Sequence, residues 1–101
     1  IYTMFVAIHS NVPLKKDSIT DFKNWFNESN SEISKNDGFV SRRLLESEDG
    51  TYTVIAEWDS KEQFDKLHSS ETHGKMHEQA RGFMERDPDG PKFFNSIAGS
   101  S

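Results

Sequence analysis

Glu57-Trp58-Asp59-Ser60-Lys61-Glu62-Gln63-Phe64 is where one strand must end and a helix begin. Upstream, Thr51 to Trp58 alternates with a period of two. Tyr52, Val54, Ala56 and Trp58 fall on one face and Thr53, Ile55 and Glu57 on the other, as in a strand. At Ser60 the pattern changes. A serine there can accept from the first backbone N–H groups of a helix, and Gln63, at the N3 position, completes a capping box. Phe64 and Leu67 then share the inner face of that helix. Ser69-Ser70 interrupt it, and a further helical stretch runs from about Glu71 to Met84. In that stretch Met76, Ala80 and Phe83 recur at helical spacing.

The elements before this stretch are read in the same way. Phe39 to Ser47 is a strand joined to Thr51–Trp58 by the turn signal Glu48-Asp49-Gly50, so short a link that the pair must be antiparallel. Ser18, with Asp21 at the N3 position, is a candidate cap for an earlier helix. Its apolar stripe is Ile19, Phe22, Phe26 and Ile33, widened by Trp25. That helix should stop near Asn36-Asp37-Gly38, where glycine permits a left-handed turn. Tyr2 to His9 is a strand that is largely apolar on both faces, hence central, and Asn11-Val12-Pro13 breaks it. Asp87-Pro88-Asp89-Gly90-Pro91 reads as a rigid loop before a last strand from Lys92 to Ala98.

The order is β-α-β-β-α-β, an α+β ferredoxin-like arrangement with an antiparallel sheet. Residues 1–101 form a single domain. Helices that cover one face of the sheet leave the other carrying apolar residues such as Tyr2, Met4, Val54 or their alternates. A face of that kind marks an interface. A second copy packed sheet to sheet, a homodimer, is the expected partner, and a small domain gains stability from it.

Composition narrows the classes of function. The net charge is −5, and no basic run exceeds two residues (Lys15-Lys16, Arg42-Arg43), which argues against nucleic acid and anionic membrane surfaces. Cysteine is absent, which removes thiolate catalysis and Cys-type zinc sites and fits a cytoplasmic protein. No apolar run approaches the ~20 residues of a membrane span, and no basic-then-apolar signal segment is visible. The chain opens on Ile1 rather than Met, so a few further residues are expected upstream. Phosphate loops, dinucleotide fingerprints and a Ser-His-Asp signature are missing from the sequence.

Asp37-Gly38-Phe39-Val40, Glu57 to Phe64 and Ser70-Glu71 together resemble the antibiotic biosynthesis monooxygenase (ABM) domains of the dimeric alpha-beta barrel superfamily. The likeness covers nearly the whole chain. It implies a dimeric αβ barrel and an oxidoreductase, specifically a monooxygenase. One branch of that superfamily degrades heme. Its members carry an iron-ligating histidine on the helix about nineteen residues after the strand-ending Trp, and His77 stands at that spacing from Trp58. The branch also has a Trp nine residues after the strand-ending Trp, where this chain has Leu67, and an Asn on the first strand, where this chain has none before Asn11.

The resemblance therefore implies His77 as catalytic residue and heme-iron ligand, with heme as cofactor and substrate. Phe26, Phe64, Leu67 and Met76 would line its apolar pocket. Electrons would come from an external donor, since no flavin or nicotinamide motif is present. The alternative is a cofactor-independent oxygenase acting on a small hydrophobic or aromatic, quinol-like ligand, with His9 or His77 accepting a proton. A non-catalytic dimeric binding or stress protein is the third reading, because fold does not fix function.

The other histidines have plainer expectations. His73 and His77, four apart, share a helix face and read as solvated. His68 should point away from the pocket that Leu67 faces. His9 sits at the end of the first strand, near the expected mouth. Trp58 reads as a core anchor, and Phe5, Phe22, Trp25, Phe26, Phe64, Phe83, Phe93 and Phe94 as mostly core.

Overall fold

The computed structural model describes residues 4–100. Tyr2, expected on the first strand, lies outside them. Strand β1 (Met4–Ser10) is followed by a 3-10 turn (Lys16–Ser18), α1 (Ile19–Ile33), β2 (Phe39–Glu46) and β3 (Tyr52–Trp58). Then come α2 (Lys61–His68), α3 (Glu71–Arg81) and β4 (Asp89–Ser96). The four-stranded sheet has the order β2-β3-β1-β4, and every pairing is antiparallel. This is the ferredoxin-like arrangement, with β1 central as its two apolar faces require. Among the described residues, no helix is long and apolar enough to cross a membrane.

Register decides which side chains face the helices. Phe5 pairs with Trp58, Ala7 with Ala56 and His9 with Val54, so these six share the helix side. Val54 therefore does not belong to the open face, where the sequence placed it as one candidate. Met4, Val6, Ile8 and Ile55 are the alternates that do. Trp58 is 1% exposed, with Phe39 edge-on at 5.5 Å and Phe64 at 6.4 Å. It anchors the core as expected. Phe93 and Phe94 do not: they are 48% and 41% exposed. β4 is an edge strand, Phe94 faces the open side, and Phe93 reaches Phe5 and Phe64 only at the margin, with centroids 5.4 Å away in each case.

Several boundaries move for local reasons. Ser18 makes no side-chain cap bond, because the 3-10 turn runs straight into α1 and the Ser18 N–H donates to Lys15 O at 2.9 Å. Ser60 does cap α2, accepting from the Gln63 N–H at 3.3 Å, while its hydroxyl donates to Gln63 Oε1 at 3.1 Å. Helix α3 stops at Arg81, three residues early. Beyond it the Phe83 carbonyl accepts from Lys15 N and the Pro13 carbonyl from Glu85 N, each at 2.9 Å. That pairing requires extended backbone. Asp89-Gly90-Pro91 belongs to β4 rather than a loop, and Ser10 pairs with Asp89 across an irregularity in the ladder. A proline is tolerated there because β4 is an edge strand.

Candidate functional site

A cavity of ≈ 130 Å³ lies between the helix side of the sheet and the helices. Its walls are mostly apolar: Ala7, Val54 and Ala56 from the sheet, Phe22 and Trp25 from α1, Leu67 from α2, and Met76 and Ala80 from α3. The exposed His77 and Arg81 stand on its open side. Trp25 Nε1 donates to Gln79 Oε1 at 2.9 Å and ties α1 to α3 across that side.

All four histidines of the chain line this one cavity. His9 arrives at the end of β1, and its Nδ1 is buried with no hydrogen-bond partner among the described residues. His68 does not point away. Its ring stacks on Phe64 at 3.7 Å, with Nδ1 3.1 Å from the Phe64 carbonyl oxygen. That bond assigns the proton to Nδ1 and leaves Nε2 as an acceptor. Ser70 explains the placement: its hydroxyl accepts from the His73 N–H at 3.2 Å and donates to Leu67 O at 2.5 Å. The cap turns the chain sharply between α2 and α3 and brings the His68 and His73 rings to 3.9 Å. His77, one turn on, lies nearly parallel to His73 at 6.3 Å.

Burial lowers the pKa of His9, and the charges at His68, His77 and Arg42 lower it further. His68 is also lowered by burial, against a smaller opposing pull from the Phe64 carbonyl. His73 is lowered to about 4, by burial first and then by its histidine neighbours and Arg42. These three imidazoles are neutral at pH 7, and a neutral imidazole can accept a proton.

Like Arg81, Arg42 is a charged lining group that the sequence reading missed. It projects from β2 into the cavity wall. Its Nη1 donates to Asn30 Oδ1 at 2.7 Å and to Ser29 Oγ at 3.0 Å. Its guanidinium lies 4.1 Å from the centroid of the Phe26 ring. Burial draws its pKa down to about 10, which leaves it charged at neutral pH. Arg81, the other lining guanidinium, is paired with Asp87 at 3.0 Å.

Of the residues expected at the site, Phe64, Leu67, Met76 and His77 all line the cavity. Phe26 does not. It is buried in the core and supports Arg42 from below. Among the described residues, no three His, Cys, Asp or Glu side chains come together as a metal-ligand set.

Known structures share this fold along nearly the whole chain. A candidate antibiotic biosynthesis monooxygenase from Bordetella bronchiseptica superposes with a TM-score of 0.77 at 13% identity, covering 98% of this chain and 100% of its own. A conserved protein from Methanosarcina mazei Go1 gives 0.70 at 14% identity, covering 93% and 89%. SnoaB from Streptomyces nogalater, a cofactor-independent oxygenase, gives 0.62 at 16% identity, covering 98% and 93%. No curated protein is significantly similar in sequence. The family profile for antibiotic biosynthesis monooxygenases matches residues 4–79. The match is to the family as a whole and singles out no heme-degrading branch. With three quarters of its length matched and the fold shared end to end, this chain belongs to the antibiotic biosynthesis monooxygenase family.

Proposed function

We propose that this chain is a cofactor-independent oxygenase of small phenolic or quinol-like aromatics, working from the histidine-lined cavity. The carrying observation is His9, whose ring lines the apolar cavity and whose Nδ1 is buried with no hydrogen-bond partner among the described residues. A buried ring nitrogen left unpaired is costly unless a ligand satisfies it. The size of the cavity supports the same reading. At ≈ 130 Å³ it is close to the roughly 150 Å³ cavity that takes up benzene. One aromatic ring fits, with a second reaching toward the open side. A porphyrin, four pyrrole rings around an iron, does not fit the cavity in this shape, so no step is assigned to heme or to His77 as its ligand. His77 is read instead as part of the wall at the mouth, with Phe64, Leu67 and Met76 deeper in. The cofactor-independent SnoaB shares the fold.

The chemistry balances without an added reductant. A phenol plus dioxygen gives a para-quinone plus water. One oxygen atom replaces the ring hydrogen as a second carbonyl. The other leaves as water, carrying the phenolic proton and the displaced ring hydrogen. The substrate supplies all four electrons. His9, held neutral, accepts the phenolic proton and makes the ring electron-rich enough to reduce dioxygen, and it later returns the proton to the departing oxygen. The apolar wall excludes bulk water from that exchange.

The open sheet face, with Met4, Val6, Ile8, Leu45, Ile55 and Phe94, is read as the subunit interface of a homodimer.

The test is oxygen uptake by chelator-treated protein with 1-naphthol, with ¹⁸O₂ labelling of the product. One labelled oxygen in 1,4-naphthoquinone is expected. His9→Gln should lower kcat by about 10²-fold or more, the usual range for loss of a general base. Uptake that is unchanged in His9→Gln would remove the assigned base. A Soret shift with hemin at one equivalent per chain, lost in His77→Ala, would put heme ahead of the phenolic reading.

A further inference from the structure

Arg42 is a cation without a counter-ion. Among the described residues no carboxylate lies within ion-pair distance of it, although the chain has 17 Asp and Glu. Its two side-chain acceptors, Ser29 Oγ and Asn30 Oδ1, are neutral and both take their bonds from Nη1. The Nη2 and Nε edge donates to no described residue, while the same side chain lines the cavity. A guanidinium offers five donors in a fixed fork that matches a carboxylate or another oxyanion. Shielding this cation without a counter-ion is costly. Holding α1 against β2 would not require the charge, since a neutral amide could bond Ser29 and Asn30. The remaining cavity groups leave the positive charge uncontested: Arg81 is neutralised by Asp87.

We infer that Arg42 is an anion receptor, and that the ligand of this cavity is an aromatic ring bearing an acidic oxygen, a carboxylate or a phenolate. This rests on the proposal that the cavity takes an aromatic ligand, and it specifies the class of that ligand. The anionic oxygen would meet the free edge of the guanidinium, and the ring would lie among Trp25, Ala56 and Met76. Arg42 then sets both orientation and charge selectivity, and Phe26 fixes the guanidinium plane from behind by cation–π contact.

Binding, read without turnover, tests this. Titrations at pH 8, followed by calorimetry and by the fluorescence of the cavity-lining Trp25, would compare benzoate with benzamide and 4-nitrophenolate with 4-nitroanisole. At least one anion should bind about tenfold or more tightly than its neutral counterpart, as expected for charge-assisted bonds. A preference for benzoate alone assigns a carboxylate, for nitrophenolate alone a phenolate, and for both any aromatic oxyanion. Arg42→Gln should erase the preference, and Arg42→Lys should keep part of it. Equal binding of anion and neutral analogue by the parent protein overturns the inference and leaves the aromatic cavity standing. A preference that survives in a folded Arg42→Gln also overturns it. Binding of none of the four overturns both readings. Selective anion binding with no oxygen uptake leaves the receptor in place and removes the oxygenase.

Discussion

The rings of His68 and His73 lie 3.9 Å apart across the turn between α2 and α3. The contact joins the end of one helix to the first turn of the next and makes the two imidazoles titrate against each other. A proton on one opposes a proton on the other, and partial burial opposes both.

Acid should therefore destabilise the protein in a defined window. The folded-state pKa of His73 is about 4, and those of His9 and His68 are also lowered. Unfolded histidines titrate near 6.5. Between those values the unfolded chain binds protons that the folded chain refuses, so stability falls as pH falls from about 6.5 toward 4. Above 6.5 these groups add no slope. With allowance for solvent screening, His73 contributes about 1 kcal/mol. Thermal melts at pH 7.5 and pH 5 should differ by several degrees in Tm. His73→Gln should narrow the gap, and an equal gap in that variant would point to other groups.

Ile55→Glu should break the proposed homodimer. Ile55 sits on the open sheet face opposite Ile8 of β1. In an isolated chain a glutamate there would face water at little cost. In a sheet-to-sheet dimer it would be buried without a partner on both subunits. Sedimentation velocity at micromolar concentration should show a dimer for the parent and a monomer for the variant, with the same far-UV circular dichroism.

Gly38→Ala should cost about 1–3 kcal/mol in urea unfolding. Gly38 has φ +84, a left-handed conformation that turns the chain from α1 into β2. An added Cβ would also run into the side chain of Gln63, which takes part in the capping of α2. Gly50, with φ +86 in the hairpin turn and open space around it, should lose less on the same change. Equal losses at both positions would show that the Gln63 contact is unimportant.

The fold was largely legible because it depends on local rules. Ser60 and Gln63 mark the α2 start by capping chemistry, and Glu48-Asp49-Gly50 forces an antiparallel hairpin. The alternation of β3 puts Val54, Ala56 and Trp58 on one face, and the sheet register identifies that face as the helix side. Boundaries were misread where a partner distant in sequence supplies the hydrogen bonds. Met84 reads as helical on periodicity, yet the backbone around it pairs with Pro13 and Lys15, and tertiary pairing outweighs a weak local preference.

The site was legible only in part. Helical spacing alone put Phe64 and Leu67 on the inner face of one helix and Met76 with Ala80 on one face of the next, whereas His77 was brought to the pocket only by the family resemblance, through its spacing from Trp58. Only the tertiary structure decided that His68 and His73 join them, since the Ser70 cap turns the chain sharply between α2 and α3; His9, expected near the mouth, is carried into the cavity wall by the sheet register. The tertiary structure also decided the place of Arg42. Strict alternation from Phe39, which packs on Trp58, would turn Arg42 outward. The register shift between Phe39 and Ser41 inserts one extra residue, and a one-residue slip moves every later side chain to the other face. Arg42 consequently points in among the aromatics and Arg43 points out to Glu57, an exchange of roles that no reading of two adjacent arginines could supply.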